Sequence, residues 1–436
     1  MHTTVKQYVK RQLQGAVGVF FILLAASCQS ESSSREKVKV IVSGEDVKTV
    51  SRDSAVILSP SSFSSRSATD SLTGISAHLA AATMLVLDTS RATGLYDALG
   101  RYLAGMPARA GAPLPDTASS SPRWQAFARG ISAKWRTYDR SHTRPIRLWA
   151  ASQLDSASRS LATVFYPFSG PDLLNVYTYF PQADTYVMVG LEPVGALPTP
   201  AVLTQPGLFK SVQSALWSVL SFSFFRTNSM ASDFKSAELD GTLPVLLLFA
   251  TRTGHRVIDA QLVHLGADGR LAEGAGVANS SQVSGSRLLL ADSTGRQQMV
   301  YYFSADISDG QLGAKSPLIA FTKNLGPVAT FVKSASYLMH KSYFSRVRNV
   351  VLNQSQLLLQ DDSGIAYDFF DNGQWNITHY GHYAKPIPLF AKHFQFDLLT
   401  AYQDSVHRPH PLPFGTGYNW RANESNLMLA RRKALQ

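Results

Sequence analysis

Cysteine is the scarcest resource in this sequence. Cys28 stands alone in 436 residues, which excludes an intramolecular disulfide and a cysteine-rich metal site. Charge is sparse as well, at 16% of the chain. The basic excess, 41 Lys and Arg against 30 Asp and Glu, is scattered rather than gathered into a stripe. That distribution argues against nucleic-acid binding. Motifs that name a reaction are missing. Ser169 lacks the flanking glycines of a nucleophile elbow. His379-x-x-His382 lacks the spacing and general base of a zinc protease. No glycine-rich phosphate turn opens a helix. Beyond the amino terminus, no run of 18 apolar residues suggests a membrane crossing.

The amino terminus reads as an export signal. Lys6, Lys10 and Arg11 precede a small and apolar run over 16–26, centred on Val19, Phe20, Phe21, Ile22, Leu23 and Leu24. That run is shorter than the roughly 20 residues a spanning helix needs. Leu24-Ala25-Ala26-Ser27-Cys28 follows. This segment resembles the lipobox of bacterial lipoproteins. The resemblance implies cleavage before Cys28, diacylation of its thiol and acylation of the new amine, with palmitate as a typical chain. Each buried methylene contributes roughly 0.8 kcal/mol, so several chains anchor firmly. Cys28 is then the lipidation residue, membrane lipid is a partner, and the location is the bacterial cell envelope.

Five segments follow from the pattern. Residues 1–27 form the signal and 28–75 a Ser-rich tether with short strands at 38–42 and 56–58. Residues 76–161 read as mainly helical. Trp124, Phe127, Ile131, Trp135 and Tyr138 recur three or four apart. Pro145 separates them from a further helix with Leu148, Ala151, Leu154 and Leu161 facing inward. Residues 162–295 give strands at 176–180, 185–191, 245–249 and 257–263, with a helix over 208–225. Residues 296–436 give strands at 299–304, 318–323, 357–360 and 366–370, a helix over 331–348, and a histidine- and aromatic-rich closing segment. Phe209-Lys210-Ser211 and Val332-Lys333-Ser334 open the two helices, and each helix precedes a Leu-Leu-Leu strand. The predicted class is α+β: an N-terminal helical region, then two candidate duplicates of a strand–helix–hairpin unit. A doubly wound sheet is disfavoured, because regular 30-residue strand–helix repeats are missing.

Four acidic residues are candidate ligand-binding groups. Asp172 closes Tyr166-Pro167-Phe168-Ser169-Gly170-Pro171-Asp172, where a turn is favoured over a Ser169 nucleophile. Glu192 leaves the end of a strong apolar strand, where it suits a sugar, an amine or a metal, or a turn cap. Asp361 and Asp362 sit in an acidic turn with too few oxygens for a calcium loop. Lys333 reads as a snorkelling side chain or an ion-pair partner. His379, His382, His393, His407 and His410 read as part of a packed closing segment rather than a metal site. No catalytic residue, metal or cofactor is assigned. The words at 166–172, 190–195, 332–340 and 360–367 resemble uncharacterised bacterial lipoproteins, a likeness that carries no activity. The expected role is a non-enzymatic envelope protein that binds a glycan, peptide or protein partner. The alternative is a hydrolase that acts on envelope glycan or peptide through carboxylates. Intact mass and membrane fractionation test the anchor. The mature protein should begin at lipid-modified Cys28, and Cys28→Ser should abolish the modification. An unmodified wild-type protein released in soluble form would refute it.

Overall fold

Among the described residues, helices precede the first strand. The computed structural model describes residues 94–114, 116–154, 161–222, 240–274, 282–313 and 315–433, which belong to one unit spanning Leu85–Gln436. Cys28, the export signal and the strands expected at 38–42 and 56–58 lie outside these residues. Helix α1 (Leu95–Leu103) buries Leu99, Tyr102 and Leu103. After α2 (Asp116–Ser120) comes α3 (Pro122–Tyr138). Ser121 caps α3 by accepting the Trp124 N–H, and Pro122 occupies a first-turn position where its missing donor is harmless. Trp124, Phe127, Ile131 and Tyr138 face inward, as their spacing predicts. A wide π-turn over Asp139–Thr143 then leads into α4 (Arg144–Gln153). That turn resets the helical phase. Leu148 and Ala151 therefore face solvent, against expectation, while Ile146, Trp149 and Ala150 face the core.

Among the described residues ten strands form one mixed sheet, in keeping with a chain of both helices and strands. Strand β1 (Thr163–Tyr166) is followed by α5 (Leu173–Tyr179), β2 (Thr185–Gly190), α6 (Leu208–Phe222) and α7 (Leu243–Arg252). Next come β3 (Arg256–Leu265), β4 (Leu271–Glu273), β5 (Val283–Ala291) and β6 (Gln297–Ser304). The chain continues through α8 (Pro317–Lys323), β7 (Val328–Val332), α9 (Ser345–Gln354), β8 (Ser355–Gln360), β9 (Trp375–Gly381), α10 (Phe396–Gln403) and β10 (Asn426–Arg432). The spatial order is β4-β3-β5-β6-β2-β1-β7-β8-β10-β9. The central strands β6-β2-β1-β7-β8 are parallel to one another. From β1 the chain winds outward through β2 to β6, then returns to the other side of β1 for β7 and β8. This is a doubly wound centre, the arrangement disfavoured from sequence. Its repeat was hidden because the antiparallel strands β3, β4 and β5 interrupt the winding between β2 and β6.

Both faces of the centre are covered. Tyr166, Tyr186, Met188, Phe331, Leu357 and Leu359 share one core with α1 and α3 to α7. Phe165, Val187, Val189, Val332 and Leu358 share the other with α8 and α9. Strand β7 is buried at all five positions, as a strand covered on both faces should be.

Several expected strands are helices. Residues 176–180 fall largely in α5, residues 245–249 in α7 and residues 318–323 in α8. Helix α7 is apolar all round because it is buried all round, so its composition matches that of a buried strand. The helix expected over 331–348 is the end of β7, two tight 3₁₀ turns and the start of α9. The strand expected at 366–370 is a 3₁₀ turn, Tyr367–Phe369. Leu246, Leu247 and Leu248 thus lie on a helix while Leu357, Leu358 and Leu359 lie on β8. The matched places of the two halves hold different elements, so the fold gives no support to a duplicated unit.

Phe331 sits at the centre of an aromatic cluster, 4.7 Å from the Tyr166 ring and 4.8 Å from the Tyr179 ring. Phe331→Ala should cost about 3–5 kcal/mol, read as a lower urea midpoint at an unchanged denaturant slope.

Candidate functional site

Parallel strands end on one edge of a sheet, so the segments after β1, β2, β7 and β8 gather there. All four acidic candidates lie on those segments, and all four are buried. Asp172 follows β1 and caps α5, accepting the Asn175 N–H at 3.2 Å and the Asn175 side-chain amide at 2.8 Å. Its Oδ2 also accepts from the Tyr166 hydroxyl at 3.1 Å. Lys333, the first residue after β7, places its Nζ 3.2 Å from the same oxygen. Lys333 is therefore an ion-pair partner rather than a snorkelling side chain. Ser169 donates its hydroxyl to the Val189 carbonyl, which ties the β1 segment to β2.

Glu192 lies beside this group, after β2. Tyr302 from β6 donates its hydroxyl to the Glu192 carbonyl at 2.8 Å and lies 3.4 Å from Oε2. The carboxylate rests against Gly170 and Gly190. A Cβ on Gly190 would lie 2.6 Å from Glu192 Oε2 and 2.8 Å from the Gly170 Cα, so only glycine lets these segments meet.

The segments after β7 and β8 interlock. Ser334, Ser336 and Tyr337 all have positive φ, between 54° and 56°. Such conformations are rare for residues with side chains and need support from their surroundings. Asp361 Oδ2 accepts the Ser334 N–H at 2.9 Å, and Ser363 Oγ accepts the Ala335 N–H at 2.8 Å. Ser363 in turn donates its N–H and hydroxyl to Asp361 Oδ1. Tyr337 donates its hydroxyl to Asp362 Oδ2, and the Asn426 amide donates to Asp362 Oδ1 at 3.0 Å. Tyr418, on the loop before β10, donates to the Ser334 carbonyl at 2.9 Å.

Burial sets the protonation of this group. It pushes the Asp362 carboxyl up to about 7, helped by the neighbouring Asp361 charge. It raises Asp361 too, against the opposing pull of Ser363, the Ser334 N–H and the Lys333 charge. Burial, with the Asp362 charge, also pushes the Tyr337 hydroxyl well up.

Asp172, Lys333, Asp361 and Asp362 therefore form one connected group, and Glu192 borders it at Gly170. The carboxyl-terminal histidines scatter. His379 is buried on β9, His393 stacks on Tyr337 at 5.0 Å, and His407 pairs with Asp404 at the surface. Among the described residues no three His, Cys, Asp or Glu side chains converge as metal ligands. Sequence reasoning missed the left-handed segment after Lys333 and the reach of Tyr418. No glycine marks the first, and the second lies 84 residues from its partner.

The raised Asp362 group makes stability depend on pH. Its folded value lies above its unfolded one, so the stability it contributes is fully present below about 4. That stability is lost as pH rises toward 7, at up to about 1.4 kcal/mol per pH unit. Asp362→Asn should flatten the decline of Tm between pH 4.5 and 7.5, and an unchanged slope would contradict this assignment. No protein-family model, curated protein or solved structure matches the chain, so the role of the site rests on its geometry.

Proposed function

We propose that this chain is a lipid-anchored envelope protein that binds a small polar ligand at the carboxyl edge of its parallel strands without transforming it. One observation carries the reading. Four carboxyl groups and one lysine, all buried, gather where the winding reverses. Burying ionisable groups is costly, and a cluster of them at this edge of a parallel sheet is a candidate binding or catalytic site. Their sign selects the ligand. The N-terminus of α5, the customary phosphate position in doubly wound sheets, is capped by Asp172. Glu192, Asp361 and Asp362 add acidic groups. A phosphate would be repelled, whereas hydroxyl and amine donors suit the site. Sugars, amino sugars and peptide amines of the envelope fit that chemistry.

Binding is favoured over catalysis because the acidic oxygens of Asp172 and Asp361 are already engaged and Ser169 is tied to the backbone. The hydrolase reading keeps one supporting observation. A carboxyl held near 7, as Asp362 is, has the protonation a general acid needs at neutral pH.

Calorimetry with amino sugars, short peptides and inorganic phosphate tests the proposal. The first two classes should include a binder, and phosphate should not bind. Glu192→Gln should weaken that binding at least about tenfold, a loss near 1.4 kcal/mol, with little change in Tm. Lys333→Met should destabilise by about 3–5 kcal/mol, because it leaves Asp172 buried and unpaired. The double variant Lys333→Met with Asp172→Asn should recover most of that stability. Phosphate as the sole binder would refute the reading. Release of cleaved glycan or peptide by wild type, lost in Asp362→Asn, would establish the hydrolase instead.

A further inference from the structure

One short segment reverses the usual rule of burial. After the 3₁₀ turn Pro388–His393 the backbone runs extended through Phe394 and Gln395 into α10. Side chains alternate along extended backbone. Gln395 points inward, where its amide donates to the Asp362 carbonyl at 2.9 Å and its Oε1 accepts the Tyr367 N–H at 2.8 Å. Phe394 and Phe396 are thereby turned outward, at 46% and 70% exposure. The two bonds of Gln395 hold a polar side chain in and two phenylalanines out, the reverse of what packing favours.

Tyr343, Phe369 and Leu389 are exposed as well. A run of contacts gathers these segments in one place. The His393 ring lies 5.6 Å from His340. The next residue, Lys341, accepts from Arg348 through its carbonyl at 3.1 Å, and the Arg348 guanidinium lies 3.9 Å from the centre of the Phe369 ring. Tyr367, two residues before Phe369, returns the run to Gln395. Cations stand among the rings. Lys385 and Lys392 are exposed and Lys341 is half-buried, and none of the three forms an ion pair among the described residues. The acids on the same segments are Asp368, whose charge acts on Arg348, and Asp397 in the first turn of α10.

We propose that this patch is a second membrane contact: Phe394 and Phe396 enter the interfacial layer of an anionic bilayer while Lys341, Lys385 and Lys392 meet its phosphates. An exposed apolar patch marks a protein or a membrane partner. Charge and composition select the membrane. Rings settle at the boundary of headgroup and acyl chain, and lysine stems lie along apolar surface with the ammonium in the headgroups. Unpaired lysines add attraction to anionic lipid. The choice of a bilayer also rests on the reading of the chain as a lipid-anchored protein, which holds this body beside one.

Vesicle sedimentation tests the contact without the anchor. The chain from residue 28 onward, carrying Cys28→Ser, has neither signal nor acyl chain and keeps the whole unit Leu85–Gln436. It should bind vesicles of phosphatidylglycerol and phosphatidylethanolamine, and bind phosphatidylcholine vesicles at least about tenfold more weakly. Phe394→Ser with Phe396→Ser should weaken binding about tenfold or more, and Lys385→Gln with Lys392→Gln about tenfold, each with Tm unchanged. Tryptophan at both phenylalanine positions should retain it. Absence of binding to the anionic vesicles, or binding indifferent to the phenylalanine pair, would overturn the proposal. So would a dimer in vesicle-free solution that the phenylalanine pair abolishes, because the patch would then be a face between two copies of the chain. The anchor is read separately, from the mass at Cys28, so the two readings fail apart.

Discussion

Lys333 and Asp172 face each other across the point where the sheet reverses its winding, and neither has water to share its charge. Their side chains are 0% and 3% exposed. Removing two such ions from water carries a penalty of several kcal/mol each, which attraction alone rarely offsets. Here the carboxylate gathers further donors: the Tyr166 hydroxyl, the Asn175 N–H and the Asn175 amide. Lys333 closes the set from β7. Since β1 and β7 are neighbours in the sheet, the pair joins the first residues after one strand to the capping residue after the other. The positions of both segments follow from keeping that pair intact.

After Lys333 the chain leaves its extended course. Ser334, Ser336 and Tyr337 adopt left-handed backbone instead, at a typical cost of about 1–3 kcal/mol each. Three side chains hold them: Asp361, Ser363 and Tyr418. Asp361 does so from inside the protein, next to Asp362; burial raises both carboxyl groups, and the Asp361 charge raises Asp362 further. The ion pair, the left-handed segment and the raised acids are thus linked by one set of contacts.

How much of this was legible depended on range. Helix α3 was readable because Trp124, Phe127 and Ile131 repeat over a long window beneath a Ser cap. Strands β2, β3 and β6 were readable because their apolar and branched runs end in turn residues. Helices α5, α7 and α8 were not, because a short buried helix and a buried strand share one composition. Strand order was beyond reach, since it is set by contacts distant in sequence. The acidic candidates were visible because each follows a strong strand, and parallel strands bring such ends together. Their common partner was weighed only as a local feature, because nothing near Lys333 in sequence announces Asp172.

The charge at the end of β1 then decides what this sheet can hold. In doubly wound sheets the first strand-to-helix turn usually offers bare N–H groups and a helix dipole to a phosphate. Here Asp172 takes the Asn175 N–H for itself, and α5 spans only Leu173–Tyr179, so little dipole remains to offer. The nearby cation Lys333 is committed to the same carboxylate. The side chains gathered at this turn are therefore mainly acidic. On the binding reading, a ligand must bring the hydrogen-bond donors itself. The fold keeps the position of an anion site and reverses its sign.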